Sequence, residues 1–144
     1  MKILVINSGS SSIKYQLFRI SDWTVCASGS VTRIDEPEGG FSHHWTNADQ
    51  QRCDLSEIHP IADHHNGLTR IMRALTETGG LDDVAELRVI GHRVVHGGAA
   101  FSAPTLIDER VLQAIGEMVP LAPLHNPANL AGIQVSRSLF PTVP

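Results

Sequence analysis

Residues 1–18, MKILVINSGSSSIKYQLF, decide the fold of this chain. An apolar run from Ile3 to Ile6 leads into a small polar loop. After the loop, Ile13, Tyr15 and Leu17 alternate with polar residues, which is the period of a strand with one buried face. The segment therefore predicts a strand, a tight turn and an antiparallel return strand.

The turn has an unusual composition. Residues 8–12 read Ser-Gly-Ser-Ser-Ser, where a simple hairpin commonly has Asn-Gly or Asp-Gly. Gly9 allows backbone N–H groups to approach a ligand, and the serines add hydroxyl donors. Such a loop suits an anion with several acceptor oxygens, phosphate above all, although composition alone fits an ordinary polar turn equally well. The sequence contains neither a P-loop nor a G-x-G-x-x-G motif.

Composition limits the class of protein. With 144 residues and 42% hydrophobic content, the chain can form one domain with a real core. A net charge of −4 and scattered basic residues give no reason to expect nucleic acid or an anionic membrane as partner. No apolar run approaches membrane-spanning length. Lys2 leads directly into a strand without a leader segment, so we expect a cytoplasmic protein.

The cysteines and paired histidines do not form a metal pattern. Cys26 and Cys53 are too few for a disulfide framework, so both are predicted to be free thiols, with Cys26 a small buried hydrophobe. The pairs His43-His44 and His64-His65 lack a cysteine or acidic residue at ligand spacing. We therefore expect surface histidines at these four positions.

Strands come first along the chain and helices later. A helix is predicted between Asp63 and Thr78, because its apolar residues recur at helical spacing and Gly79-Gly80 follows them. Asp108 can cap a second helix stopped by Pro120, and Asn126 with its following proline starts a third that reaches about Leu139. The other predicted elements are strands over Trp23 to Val31, Phe41 to Thr46 and Ala85 to Val95. The order βββ-α-β-α by itself indicates a mixed α/β sheet.

Two further motifs narrow the choice. GHRVVHGG occupies residues 91–98 and PLAPLHNPANLAGI occupies residues 120–133. Together with VINSGSSSIKYQLF, and in the same order, they resemble the acetate kinase family of acetate, propionate and butyrate kinases. The resemblance covers essentially the whole chain. It implies an actin-like, ribonuclease H-like α/β domain, with residues 1–144 as the N-terminal, acceptor-side half of a two-domain kinase whose nucleotide-binding C-terminal domain is absent here.

The resemblance also implies a chemistry. Members of the family transfer the γ-phosphoryl group of ATP reversibly to a short-chain carboxylate, with Mg²⁺ as cofactor. The carboxylate is ionised near neutral pH, so no strong general base is needed. The difficulty is to bring an anion against a polyanion and to stabilise charge on the moving group. The site therefore needs cations, backbone donors and a metal, with water kept away.

Arg93 is the first candidate substrate residue. Its guanidinium presents a fixed fork of donors for a carboxylate, which lysine lacks. It follows a predicted strand and precedes Gly97-Gly98, a pair that would let a ligand come close. The alternative is a surface arginine in a solvated ion pair. By resemblance, Val95 and Leu124 line the small apolar pocket for the acyl chain, with plain core packing as the alternative.

The first motif supplies the candidate phosphate and metal residues. By resemblance, Asn7 and Ser10 lie beside Mg²⁺ and the transferred phosphate, with Ser12 close by. Amide and hydroxyl oxygens are suitable hard ligands, directly or through metal-bound water. Lys14 matches the same motif as a phosphate contact, or is a solvated strand residue.

His125 matches a family histidine near the substrate, where it could donate to phosphate. A histidine that caps a turn is the competing explanation. His92 and His96 receive no role. In the family, the catalytic aspartate follows the segment that ends here at Pro144, so no catalytic residue is expected within this chain. Because half a cleft cannot hold phosphate and acceptor in line, we expect the chain alone to be inactive.

Several alternatives remain open. Acetate and propionate differ by one methylene, which a small pocket distinguishes by only about 1–3 kcal/mol, so the enzyme could be a propionate kinase. The chain could also be a non-catalytic half-domain that binds small anions through Ser10 and Arg93. Another actin-like ATPase or a sugar kinase would lack the combined motifs. Family members are commonly homodimers at full length.

Overall fold

One mixed sheet and three α-helices form the described part of the chain. The computed structural model describes residues 1–98, 101 and 103–144. Its strands are β1 (Lys2–Ser8), β2 (Ile13–Arg19), β3 (Val25–Thr32), β4 (Gly40–Thr46), β5 (Arg52–Ile58) and β6 (Leu87–His92), and its α-helices are α1 (His64–Glu77), α2 (Glu109–Glu117) and α3 (Asn126–Leu139).

The strands lie in the order β5-β4-β3-β2-β1-β6. Strands β1 to β5 form an antiparallel meander, whereas β6 pairs with β1 in parallel. Every second residue of β2 is buried up to Leu17, which confirms the predicted alternation. Helices α1 and α3 contact each other and the same face of the sheet. The core between them includes Leu4, Leu17, Ile71 and Leu75, none of which is exposed to solvent.

The predicted helix starts are largely confirmed. The Asp63 carboxylate accepts from the Asn66 backbone N–H at 2.7 Å, and Asp108 accepts from the Val111 N–H at 2.9 Å. Both side chains satisfy a donor that the first helical turn leaves free. After α1, Gly79 has a left-handed backbone with φ 70°, which a glycine adopts at little cost.

The strand boundaries differ from the prediction at several points. Strand β3 begins at Val25, because Trp23 has a left-handed backbone in the turn that follows β2. Strand β6 runs only from Leu87 to His92, and residues 84–86 before it form a short 3₁₀ turn. Strand β5 was not predicted, and with it five strands precede α1.

His43 is not the surface histidine that was predicted. It is fully buried on β4, with Nδ1 2.5 Å from the Tyr15 hydroxyl and Nε2 3.0 Å from Thr78 Oγ1. Because the Thr78 hydroxyl donates to the Ala74 carbonyl, it accepts from His43 Nε2–H, and Nδ1 is left to accept from Tyr15. Burial lowers the pKa of His43 to about 4.

The remaining predictions for single residues have mixed outcomes. His65 is exposed, as predicted, and His44 is half-buried beside Asp54. The two cysteines are free, which confirms that prediction, but Cys26 is half-buried rather than buried. Nowhere in the described residues is a helix long and apolar enough to cross a bilayer.

Candidate functional site

The carboxyl ends of β1 and β6 lie side by side because the two strands are parallel. Ile6 is aligned with His92, and the Arg93 N–H donates to the Ile6 carbonyl at 3.1 Å. Two loops therefore leave the sheet at the same edge. We name them the serine loop (Ser8–Ser12) and the arginine loop (Arg93–Gly98).

The serine loop is closed by one backbone hydrogen bond, from the Gly9 N–H to the Ser12 carbonyl at 2.7 Å. Ser10 is exposed and Ser12 is half-buried. Gly9 does not have a left-handed backbone, and a Cβ there would lie 3.5 Å from both Ser12 O and Ser12 Oγ, an ordinary contact. The surrounding protein therefore does not require a glycine at this position.

Asn7 and Lys14 face each other across β1 and β2 and are both exposed, on the sheet face opposite the helices. Together with Gln16, Ser28 and others they line a shallow cavity of about 470 Å³. Among the described residues Lys14 forms no ion pair. Its ammonium group is thus available next to the serine loop.

Arg93 is also exposed, and its guanidinium has no ion-pair partner within residues 1–98, 101 and 103–144. The alternative of a solvated ion pair is therefore not what the structure shows. His92, one residue earlier, is aligned with Ile6 on the helix-covered face, and burial lowers its pKa to about 4. Arg93, the first residue after β6, is instead exposed to solvent.

The glycines of the arginine loop serve the packing of the protein itself. Gly98 has a left-handed backbone with φ 69°. A Cβ on Gly97 would lie 2.5 Å from the Phe101 carbonyl oxygen, closer than such atoms approach. Gly97 is thus needed for the close approach of Phe101, and that the pair also makes room for a ligand stays a prediction.

Two buried asparagines of α3, which the sequence analysis did not assign to the site, hold the arginine loop. Asn126 and Asn129 are 0% and 2% exposed. Asn126 Oδ1 accepts from the His96 N–H at 3.2 Å, and its Nδ2 donates to the His96 carbonyl at 2.9 Å. Asn129 Oδ1 accepts from the Val95 N–H at 3.1 Å. Asn126 was predicted to start α3 as a cap, but its side chain binds this loop instead.

Asn129 also reaches the serine loop. Its Nδ2 donates to the Ser8 carbonyl at 2.6 Å, so one carboxamide bridges the two loops. The approach is close because Gly132, one turn further along α3, has no side chain: a Cβ there would lie 2.8 Å from Ser8 Cβ. A spacing of three residues relates Asn126, Asn129 and Gly132 on the helix. They form a stripe of polar and small residues on an otherwise apolar face, and this stripe is the sequence signal that could have revealed them.

On the other side, α1 holds the serine loop through His64. This side chain is half-buried, and its Nε2 donates to the Gly9 carbonyl at 2.6 Å. It was predicted to be a surface histidine, and that prediction is wrong. The loop is thus held by two helices at successive carbonyl groups.

Leu124 and His125 lie in the turn before α3. His125 occupies the cap position, but its side chain makes no capping hydrogen bond, so the capping explanation is not supported. Leu124 is 74% exposed and Val95 is 39% exposed. Neither lines the cavity of about 310 Å³ between the arginine loop and α2 or the one of about 720 Å³ beside β6. Plain core packing therefore does not account for Leu124.

The edge offers few metal ligands. The described residues contain no group of three histidine, cysteine or acidic side chains that could hold an ion. Asn7 can supply one amide oxygen, which fits a hard cation such as Mg²⁺ only if phosphate oxygens and water complete its octahedral shell. The residues at this edge thus fit Mg²⁺ only as suppliers of one of its ligands.

The sequence profile of the Acetokinase family matches residues 2–144. The chain belongs to this family. Among acetokinases similar to it, the acetate kinase of Streptomyces coelicolor is 49% identical over 144 residues, which cover 99% of this chain and 34% of that protein. The acetate kinase of Thermotoga petrophila is 45% identical, over 100% of this chain and 35% of that one. The chain spans about a third of the length of these relatives.

Solved acetokinase structures have the same fold. The crystal structure of Porphyromonas gingivalis acetate kinase matches with a TM-score of 0.86 and 34% identity, over 99% of this chain and 35% of that one. A propionate kinase from Francisella tularensis matches with a TM-score of 0.85 and 31% identity, over 99% and 35%. With the mixed six-stranded sheet, these neighbours confirm the predicted actin-like α/β fold class.

Proposed function

We propose that residues 1–144 form the N-terminal, acceptor-side domain of a cytoplasmic, homodimeric kinase of the acetate kinase type. The reaction is the reversible, Mg²⁺-dependent transfer of a phosphoryl group from ATP to a short-chain carboxylate, giving an acyl phosphate and ADP. The observation that carries the proposal is the bridge made by Asn129, which links the serine loop to the loop of Arg93 at one edge of the sheet. Arg93 is exposed and has no ion-pair partner within the part of the chain that the structure describes. Family membership supports the same reaction class.

Electrostatics explains why both loops are needed at this edge. Two unit negative charges 4 Å apart repel by about 4 kcal/mol at an effective dielectric constant near 20. Arg93 offsets the charge of the carboxylate with a bidentate donor pair, and Lys14 offsets that of the phosphate. No existing ion pair has to be broken for either role among the described residues.

We assign the remaining candidate residues by the chemistry of their side chains. Ser10 and Ser12 offer hydroxyl donors to phosphoryl oxygens, and His125 offers a ring N–H. Asn7 supplies an amide oxygen towards Mg²⁺, directly or through water. When bound, the ion would reduce the charge of the phosphoryl oxygens.

Val95 and Leu124 would line the acyl pocket. Both expose apolar surface, Val95 in the arginine loop and Leu124 in the turn before α3. That surface becomes a closed, water-free pocket only when another part of the protein covers it. The chain spans 34% of the length of the Streptomyces coelicolor acetate kinase that it matches. We therefore propose that the covering surface comes from the part of such proteins outside the match, and that the 144-residue chain alone forms no acyl phosphate.

The decisive experiment compares the chain with a hybrid enzyme. Residues 1–144 replace the matching third of the Streptomyces coelicolor relative, and acetyl phosphate formation is measured as the hydroxamate. We expect the hybrid to be active and the chain alone to be inactive above a contaminant control. Arg93→Ala should remove most of the hybrid activity, whereas Arg88→Ala, an exposed arginine at the other end of β6, should not.

Two results would contradict the proposal. Acetyl phosphate formation by the chain alone would refute its role as half of a cleft. Full activity of the Arg93→Ala hybrid, in the presence of an active parent hybrid, would refute the role of Arg93. The ratio of kcat/KM for acetate and propionate in the hybrid decides between these two substrates, since a propionate kinase is among the structural neighbours.

A non-catalytic anion-binding domain is the second candidate function. It is favoured by one observation, namely that the serine loop and Arg93 are held in place by residues of this chain alone. Separate calorimetric titrations of the chain with acetate, phosphate and ATP test it. Tight binding of a small anion without catalysis in any hybrid would favour this function over the kinase.

A further inference from the structure

Two successive carbonyl groups of the serine loop are held from two different helices. The Ser8 carbonyl accepts from Asn129 Nδ2 of α3, and the Gly9 carbonyl accepts from His64 Nε2 of α1, each at 2.6 Å. His64 is the first residue of α1, directly after the cap residue Asp63. Its position is therefore fixed by the helix, and it fixes the peptide that joins Gly9 to Ser10.

The direction of the next N–H group follows from peptide geometry. In a trans peptide the C=O and N–H of one unit point in opposite directions, and the described chain has no cis peptide. Since the Gly9 carbonyl points towards α1, the Ser10 N–H points away from it. Asn7 and Lys14 are exposed on the sheet face opposite the helices, so the Ser10 N–H is directed towards their side of the edge.

We propose that His64 is a positioning residue, which turns the Ser10 N–H outward as a donor to a phosphoryl oxygen. The inference rests on the proposed phosphate-binding role of the serine loop. Without the imidazole, the Gly9–Ser10 peptide is free to rotate, and the donor is lost for part of the time. Both the neutral Nε2–H tautomer and the protonated ring donate from Nε2, so the positioning does not require a charged histidine.

The chain offers matched variants for a test. His64→Ala removes the donor, and His64→Gln keeps an N–H donor on a side chain of similar reach. His65→Ala changes the neighbouring histidine, which is exposed. Thermal unfolding of all three variants shows whether each retains the fold.

The experiment uses the ¹⁵N-labelled 144-residue chain and inorganic phosphate as the probe. Backbone relaxation without phosphate reports the order of residues 10–12, and a phosphate titration follows the Ser10 amide signal. We expect His64→Ala to lower the order parameters from about 0.85 towards 0.6 and to weaken phosphate binding by about three- to tenfold, the effect of one hydrogen bond. His64→Gln should restore both quantities, and His65→Ala should leave them at wild-type values.

The outcomes separate the two proposals. Wild-type order and phosphate affinity in a folded His64→Ala variant, or no recovery in His64→Gln, would overturn the role of His64. If phosphate leaves the Ser10 signal of the wild-type chain unshifted, the phosphate-binding role of the serine loop is wrong. The relaxation data, collected without phosphate, then still show whether His64 orders the loop.

Discussion

Replacement of Gly132 by alanine should destabilise the protein, although alanine is the better helix former. Gly132 lies within α3 against the end of β1, and a Cβ there would lie 2.8 Å from Ser8 Cβ and 3.0 Å from Ser8 Oγ. The helix would have to move away from the strand. Overpacking of this kind costs about 1–3 kcal/mol, and the gain in helix propensity is about 1 kcal/mol. We expect a net loss of about 1 kcal/mol.

Gly116 provides the matched control. It also lies in a helix, α2, but among the described residues a Cβ there would have only one neighbour within 4 Å outside its own helix, Leu130 Cδ2 at 4.0 Å. Gly116→Ala should therefore stabilise the protein by up to about 1 kcal/mol. The two glycine-to-alanine substitutions should change the free energy of unfolding in opposite directions.

Urea unfolding at constant m-value measures both changes. A double-mutant cycle locates the clash, because Ser8→Gly removes the Cβ that the new methyl group would meet. Gly132→Ala should cost less in the Ser8→Gly background than in the wild type. If Gly132→Ala is as stable as the wild type, or equally costly in both backgrounds, α3 does not pack against Ser8 as described.

Three further predictions concern pH, the bridge and the serine loop. The pKa of His43 is about 4 when folded and near 6.5 when unfolded, so the unfolded chain binds more protons between these values. Stability present above pH 6.5 should therefore fall by about 3 kcal/mol on acidification to pH 4, and urea unfolding against pH should show a smaller loss for His43→Gln. Asn129→Ala should lower the free energy of unfolding by about 2–4 kcal/mol, because two backbone groups lose their partner. Gln134 is exposed on the same helix, and Gln134→Ala should change the free energy of unfolding by less than about 0.5 kcal/mol. Similar losses in the two variants would contradict the bridge. Gly9→Ala should leave the free energy of unfolding unchanged or raise it by up to about 1 kcal/mol, yet weaken phosphate binding to the ¹⁵N-labelled chain. Unaltered phosphate binding would show that no ligand uses the space beside Gly9.

Elements with a strong local signal could be predicted from the sequence. The β1–β2 hairpin combines an apolar run, small turn residues and strict alternation. Asp63 and Asp108 mark helix starts because the capping hydrogen bond spans only three residues. Strand β5 lacked such a signal, since its sequence RCDLSEI is mostly polar and none of its residues is fully buried. As an edge strand it depends on backbone pairing with β4, which composition does not encode.

The contacts of the supporting side chains could not be predicted, because their partners are distant in sequence. His64 contacts a residue 55 positions away, and Asn129 contacts one 121 positions away. From the sequence alone, His64 and the histidine after it are interpreted as a solvated pair, and only the position of α1 shows that His64 contacts the serine loop. Similarly, Asn126 before a helical segment reads as a cap, and only the course of the arginine loop explains its burial. Motif resemblance supplied the candidate ligand residues, whereas packing determines which residues hold the two loops.

The 121-residue separation between Ser8 and Asn129 also sets the order in which the chain can assemble during synthesis. Within the meander, residues 2–58, each strand pairs with its neighbours in sequence, so these pairings can form as soon as the strands leave the ribosome. The edge of the sheet that carries the two loops can form only after β6 and α3 have been translated. In a growing chain, the serine loop can therefore form well before the residue that bridges it to the arginine loop has been made.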